Sequence, residues 1–220
     1  MLMGVALAAL LMSGGPASAQ ARQGGAAGDF DFYVLALSWS PGFCASEGRA
    51  SQRQQCAAGL RHTFVVHGLW PQYERGYPRA CGARDDSIPR DPSRRAMSLA
   101  AGIFPEQGLA RHQWRMHGTC SGNSPETYFR DTARARSMVT VPQALQGLVT
   151  ARRISPEAVE RAFIAANPGL RPDMIATTCA QGRLKEVRLC LKRDLSGFTS
   201  CPEVDRNGCR ARDITIDAPR

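Results

Sequence analysis

The sequence predicts a single α+β domain with a mainly antiparallel central sheet and flanking helices, and three observations carry that prediction. Its 220 residues contain no internal repeat and no linker, so one core is expected. Apolar and aromatic runs bounded by Pro and Gly are interspersed with helix starts of the Ser-Pro-Glu type, without the strict strand-helix-strand order of a parallel sheet. Eight cysteines, all C-terminal to Trp39, suit four disulfides in an exported chain.

Taken in order, residues 1–19 read as a secretory signal: an apolar run from Val5 to Met12, a Gly14-Gly15-Pro16 break and a cleavable Ala17-Ser18-Ala19. No Lys or Arg precedes the run. Residues 20–29, rich in glycine, are expected to form a flexible leader to a domain spanning 30–220. Phe30 to Trp39 reads as a buried strand ended by Pro41-Gly42, and His62 to His67 as a second. On that second strand His62, Phe64 and Val66 face one way and Thr63, Val65 and His67 the other, which makes His62 structural and sets His67 at a strand end. Arg79 to Arg95 is an exposed excursion pinned by Cys81. A helix starts near Pro92-Ser93, and Gly108 separates it from a short one over Leu109 to His117, with Gly118 as its C-terminal cap. Ser124-Pro125-Glu126 and Ser155-Pro156-Glu157 open helices to about Met138 and Ala166. Met174 to Cys179 and Leu184 to Lys192 form a strand pair around Gln181-Gly182, and Ile214 to Ile216 is the last strand. Nothing after the signal approaches the roughly 18 consecutive apolar residues of a membrane span, so the mature chain is expected to be soluble.

Three of the four histidines fall in two segments, Phe64 to Tyr73 (FVVHGLWPQY) and His112 to Ser121 (HQWRMHGTCS). Imidazole, with an unperturbed pKa of about 6.5, both gives and takes protons near neutrality, so converging histidines are acid/base candidates. On a helix, His112, Gln113, Met116 and His117 share one face while Arg111 and Arg115 point away. Metal ligation is not expected. There is no Cys-x2-Cys pair, and the His112/His117 spacing misses the i, i+4 arrangement of helical zinc sites. The formal net charge is +9, and all but Lys185 and Lys192 of the 28 cations are arginine, the side chain that forks two hydrogen bonds onto a phosphate. Charge alone does not choose between RNA, DNA, an acidic polysaccharide and a membrane face.

The constellation resembles the ribonuclease T2 family of secreted endoribonucleases. Phe64 to Pro71 is similar to the family's FTxHGLWP-like segment and His112 to Cys120 to its HEWxKHGTC-like segment; Phe32 to Pro41 resembles its first core strand and PETYF, Pro125 to Phe129, the helix after the second segment. The likeness runs from Phe30 to about Cys209, and the lack of an N-x-S/T sequon suits a bacterial member. It implies cleavage of RNA by a monomer without metal or cofactor: the ribose 2′-hydroxyl attacks its own phosphodiester to give a 2′,3′-cyclic phosphate. By the same resemblance His67 is the acid, His117 the base, with the two labels exchangeable, and His112 holds the phosphate. Trp70 stacks a nucleobase, Gln72 stands at a position that biases base choice, and Tyr73 or Tyr77 closes the base pocket, while Trp114 is core. The implied disulfides are Cys44–Cys56, Cys81–Cys120, Cys179–Cys209 and Cys190–Cys201, one of the 105 pairings that eight cysteines allow.

Two positions depart from the family pattern. Gln113 replaces a glutamate and Met116 a lysine. Gln113 is expected still to bond a phosphate oxygen or orient His117, and His117, near a helix C-terminus, to have its charged form favoured by the macrodipole. With Arg111 and Arg115 facing away, any replacement for the missing cation has to come from another segment. The competing reading is an RNA-binding or host-interaction protein on the same fold with weakened chemistry; a DNase is disfavoured because DNA lacks the 2′-hydroxyl.

Overall fold

The computed structural model describes residues 22–46, 54–57, 59–83 and 85–219, so the signal segment 1–19 lies outside the described residues. The central sheet is built on β2 (Phe32–Trp39), flanked antiparallel by β3 (Phe64–Gln72) and β7 (Arg183–Lys192). On the far side of β7 lies β6 (Ile175–Ala180), turned back through Gln181 and Gly182, both at positive φ, the conformation a two-residue hairpin requires. The sheet is completed by β8 (Ile214–Ile216), which touches β7 in parallel at one residue pair, and β5 (Arg152–Ile154), antiparallel to β8. The predicted α+β class with a mainly antiparallel sheet is the observed one.

One face of the sheet carries the main core. Tyr33, Leu35, Leu37 and Trp39 of β2 alternate toward it, together with Val187, Leu189 and Leu191 of β7, as period-2 geometry dictates. Helices α2 (Arg94–Ala100), α3 (Gln107–Met116), α4 (Pro125–Ser137) and α6 (Pro156–Ala166) contribute buried side chains to it. Ser93, Ser124 and Ser155 cap α2, α4 and α6 by accepting the N–H three residues on, and Pro125 and Pro156 occupy the first helical position, so the helix starts read from the sequence are the real ones. The opposite face bears a small cluster, Phe32, Val34, Ala176, Cys190, Cys201 and Val204. It is roofed by α7 (Pro202–Arg206).

The first strand stops at Trp39, before Pro41-Gly42 as expected, and the chain enters α1 (Ser40–Ser46), proline being tolerated in a first turn. Three expectations are corrected. The second strand runs on to Gln72, so His67 lies inside it rather than at its end. Gly118 is no left-handed cap: it opens a 3-10 turn, Gly118–Cys120. A Cβ there would sit 2.5 Å from Trp114 and 3.0 Å from Tyr128, so close packing is what the position requires. The leader, from Arg22, is docked rather than flexible. Arg22–Gln23 form β1, parallel to β4 (Gly76–Tyr77), Gly28 N–H donates to the Cys120 carbonyl at 3.0 Å, and the Tyr73 hydroxyl donates to the Gly24 carbonyl at 3.0 Å. All eight cysteines are paired, as Cys44–Cys56, Cys81–Cys120, Cys179–Cys209 and Cys190–Cys201.

Candidate active site

A β-bulge positions the first histidine. Leu35 pairs with Leu69 and Ala36 with Gly68, but Leu37 pairs with Val66, leaving His67 as the extra residue of β3. Below the bulge Phe64 and Val66 face the main core; above it Leu69 does. The extra residue therefore switches the alternation, and His67, Gly68, Trp70 and Gln72 all lie on the open face. A regular strand would have put His67 and Trp70 on opposite sides.

That face is a cleft of about 330 Å³. Trp70 and Gln72 line it from β3, Arg188 from β7, and His112, Met116 and His117 from α3 and its C-cap; Tyr77 and Arg79 close one side. Helix α7 supplies Glu203, Val204 and Asn207, held in place by the Cys190–Cys201 and Cys179–Cys209 bridges on either side of it. Trp70 is the hub: His117 stacks on it with ring centroids 5.2 Å apart at 29°, and His67 stands edge-on at 5.2 Å. The two segments singled out by the sequence thus converge. His62 lies before β3 and does not border this cleft.

Gln113 and Tyr73 do not reach the cleft. Gln113, 1% exposed, faces inward, and its Oε1 accepts the Trp70 indole N–H at 2.8 Å. It sits so close that a Cβ on Gly68 would fall 2.2 Å from that oxygen, which is why the position between His67 and Trp70's strand neighbour has no side chain. Gln113 is thus bonded to Trp70 and shut off from the cleft. Tyr73, at 2% exposure, is a core residue; Tyr77, 41% exposed, is the tyrosine that borders the cleft. Trp114 is core as expected, its indole N–H on the Pro89 carbonyl at 2.8 Å.

The residue the sequence reading missed is Glu186. It is 1% exposed, yet one carboxylate oxygen lies 2.9 Å from His67 Nδ1 and the other accepts from Arg188 Nε and Nη2 at 2.9 and 2.6 Å. Burial alone would keep this carboxyl neutral, but the hydrogen bond from His67 and the Arg188 guanidinium outweigh it and hold its pKa at about 2. An ionised carboxylate only accepts, so His67 Nδ1 carries the proton and Nε2 is left as the ring's working nitrogen. A signal was present: in RLKEVRLCLK, Glu186 and Arg188 sit on the same strand face as Cys190, and a carboxylate at such a position needs a partner across the sheet.

His117 has the opposite environment. Burial, then the nearby His67, His112 and Arg79, push its pKa down to about 3, against the helix-end expectation of a favoured imidazolium; desolvation outweighs the macrodipole here. Its Nδ1 is enclosed without a hydrogen-bond partner among the described residues. His112 is shifted down too, by burial and then by His67, Arg115 and Arg79. A histidine with a depressed folded pKa binds fewer protons folded than unfolded, so stability rises with pH between about 3 and 6.5 on account of His117 and between about 2 and 4.5 on account of Glu186. The melting temperature should accordingly fall on acidification from below pH 6.5, and His117→Ala should flatten the upper part of that fall. A pH-melting series on both proteins checks this.

Among the described residues no group of three or more His, Cys, Asp or Glu could hold a metal ion, and no helix is long and apolar enough to cross a membrane.

Comparison with known proteins agrees with the geometry. The ribonuclease T2 family profile matches residues 30–201. A ribonuclease of Aeromonas hydrophila is 35% identical over 184 residues, covering 81% of this chain and 80% of that one; ribonuclease I of Escherichia coli K12 is 29% identical over 254 residues, covering 92% of each. In fold, the SF11-RNase of Nicotiana alata superimposes with a TM-score of 0.65 at 17% identity, over 87% of this chain and all of that one. With family, relatives and fold in agreement, the chain belongs to the ribonuclease T2 family and is a ribonuclease of that type.

Proposed function

We propose that the enzyme cleaves single-stranded RNA by transphosphorylation, with His117 as base and His67 as acid. His117 takes the proton of the ribose 2′-hydroxyl as the 2′-oxygen bonds to phosphorus; the P–O5′ bond breaks, and the departing 5′-oxygen takes a proton from His67 Nε2. The products are a 2′,3′-cyclic phosphate and a free 5′-hydroxyl. The observation that carries this reading is the asymmetry around Trp70: one histidine is backed by an ionised carboxylate at 2.9 Å, the other is stripped of its charge by burial. Pairs of groups pushed apart in this way divide acid and base roles. A base with a pKa near 3 is weak, but a phosphodiester anion entering beside it raises that value.

His112 lies on the same cleft wall, where it contacts the phosphate. Trp70 and Gln72 contact the nucleobase, and of the two candidate tyrosines it is Tyr77 that closes the base pocket. The four disulfides and the segment of signal character at residues 1–19 support export, to the periplasm or the medium, and the proposed enzyme acts on RNA there as a soluble monomer without a cofactor.

The experiment is incubation of the purified mature chain with RNA and with DNA of the same sequence in excess EDTA. RNA should be cut and DNA left intact. Binding without cleavage would favour the RNA-binding reading, and recovery of cleavage only with an added divalent ion would overturn the mechanism.

A further inference from the structure

Transphosphorylation builds negative charge on the non-bridging oxygens of a phosphorane, and a preorganised cation aimed at them is worth a large share of the rate. Helix α3 offers none, because Met116 fills its cleft-facing position. Arg115, its neighbour, is turned away onto Asp91 at 3.0 Å. We propose that Arg188 on β7 is the catalytic cation of this site, contacting the phosphate oxygens from the strand side in place of a helix-borne lysine. The inference rests on the transphosphorylation reading above.

Three features select Arg188. First, it stands in a row of small residues on the open face of the sheet: Ala36 of β2 pairs with Gly68 on one side and Arg188 on the other. With nothing larger than a methyl group between them, the guanidinium leans across β2 until its carbon lies 5.3 Å from the Trp70 ring centroid. Second, it is fixed. Nε and Nη2 both donate to Glu186 Oε1, while the other oxygen of the same carboxylate takes His67, so the guanidinium and the proposed acid are held side by side by one buried group. Third, it retains capacity. Those bonds leave both hydrogens of Nη1 and one of Nη2 for an anion, in the planar fork that suits two phosphate oxygens. Arg79, the other arginine of the cleft, is exposed and no such bond fixes its guanidinium among the described residues; it supplies long-range attraction rather than a positioned contact.

The test uses the full mature chain and a labelled single-stranded oligoribonucleotide in excess EDTA. Arg188→Met should lower kcat on the order of a hundredfold while KM changes within about threefold, as expected for one positioned donor lost from a developing anion. Met116→Lys placed in the Arg188→Met protein should restore at least tenfold of that loss by supplying an ammonium from the helix side. Arg188→Lys, whose ammonium still reaches Glu186, should stay within about tenfold of wild type and keeps the test valid should the methionine variant not fold. Arg188→Met within threefold of wild type would overturn the proposal, as would a lysine variant as slow as the methionine one, or a loss that Met116→Lys leaves unchanged. Failure of the wild type itself to yield cyclic-phosphate ends would instead overturn the reading on which it rests.

Discussion

Alanine at either His67 or His117 should remove nearly all RNA cleavage while leaving RNA affinity within a few fold. General acid and general base each contribute roughly 10²–10⁴ to rate, and neither histidine has a neighbour placed to stand in for it. His67 Nε2 is left free by the bond of Nδ1 to Glu186 on the other side of the ring, and His112, which lines the cleft with His117, projects from α3 more than one turn before it. Binding should survive because, on the proposed reading, it is spread over the Trp70 surface, Arg79, Arg188 and the positive field of a chain with net charge +9. Single-turnover rates with saturating RNA, beside a binding titration of the same variants, check both halves. Either variant retaining more than a tenth of the wild-type rate would mean that the roles are misassigned.

Reduction of the disulfides should unfold the protein. Each native bridge in a small secreted domain contributes about 2–5 kcal/mol, against a total stability of about 5–15 kcal/mol for a domain, so losing all four removes as much stability as a domain has. Two of them also build the site: Cys190–Cys201 and Cys179–Cys209 hold α7, and with it Glu203, Val204 and Asn207, over the open face of the sheet. Activity should therefore disappear with the cooperative melting transition, not before or after it. Alkylation of the native protein without reductant should label no thiol, and a single modified cysteine would contradict the four-bridge structure.

Most of the fold was legible because its signals are local. Ser-Pro-Glu starts, a Gln-Gly turn and alternating apolar runs each report on a few neighbouring residues, and α4, α6, the β6–β7 hairpin and β8 appear where those signals place them. What was not legible depends on partners distant in sequence. The bulge at His67 is a property of the pairing between β2 and β3, and nothing in FVVHGLWPQ alone announces an extra residue. Glu186 lies 119 residues from the histidine it holds. Gln113 sits on the predicted helix face, but at the edge of that face which packs against β3, so its amide meets Trp70 rather than solvent. The glycines of the leader read as flexibility because a sequence shows freedom of the backbone and not the Cys120 carbonyl and Tyr73 hydroxyl to which that backbone is bonded.

The most direct test of the mechanism is the chemistry of the new ends. An RNA dinucleotide digested in excess EDTA and followed by ³¹P NMR or mass spectrometry should first accumulate a 2′,3′-cyclic phosphate together with a free 5′-hydroxyl, with no 5′-phosphate at any time. Accumulation of a 5′-phosphate, or a first product already opened to a 3′-phosphate with one oxygen drawn from labelled water and no cyclic intermediate, would show that water and not the 2′-hydroxyl is the nucleophile.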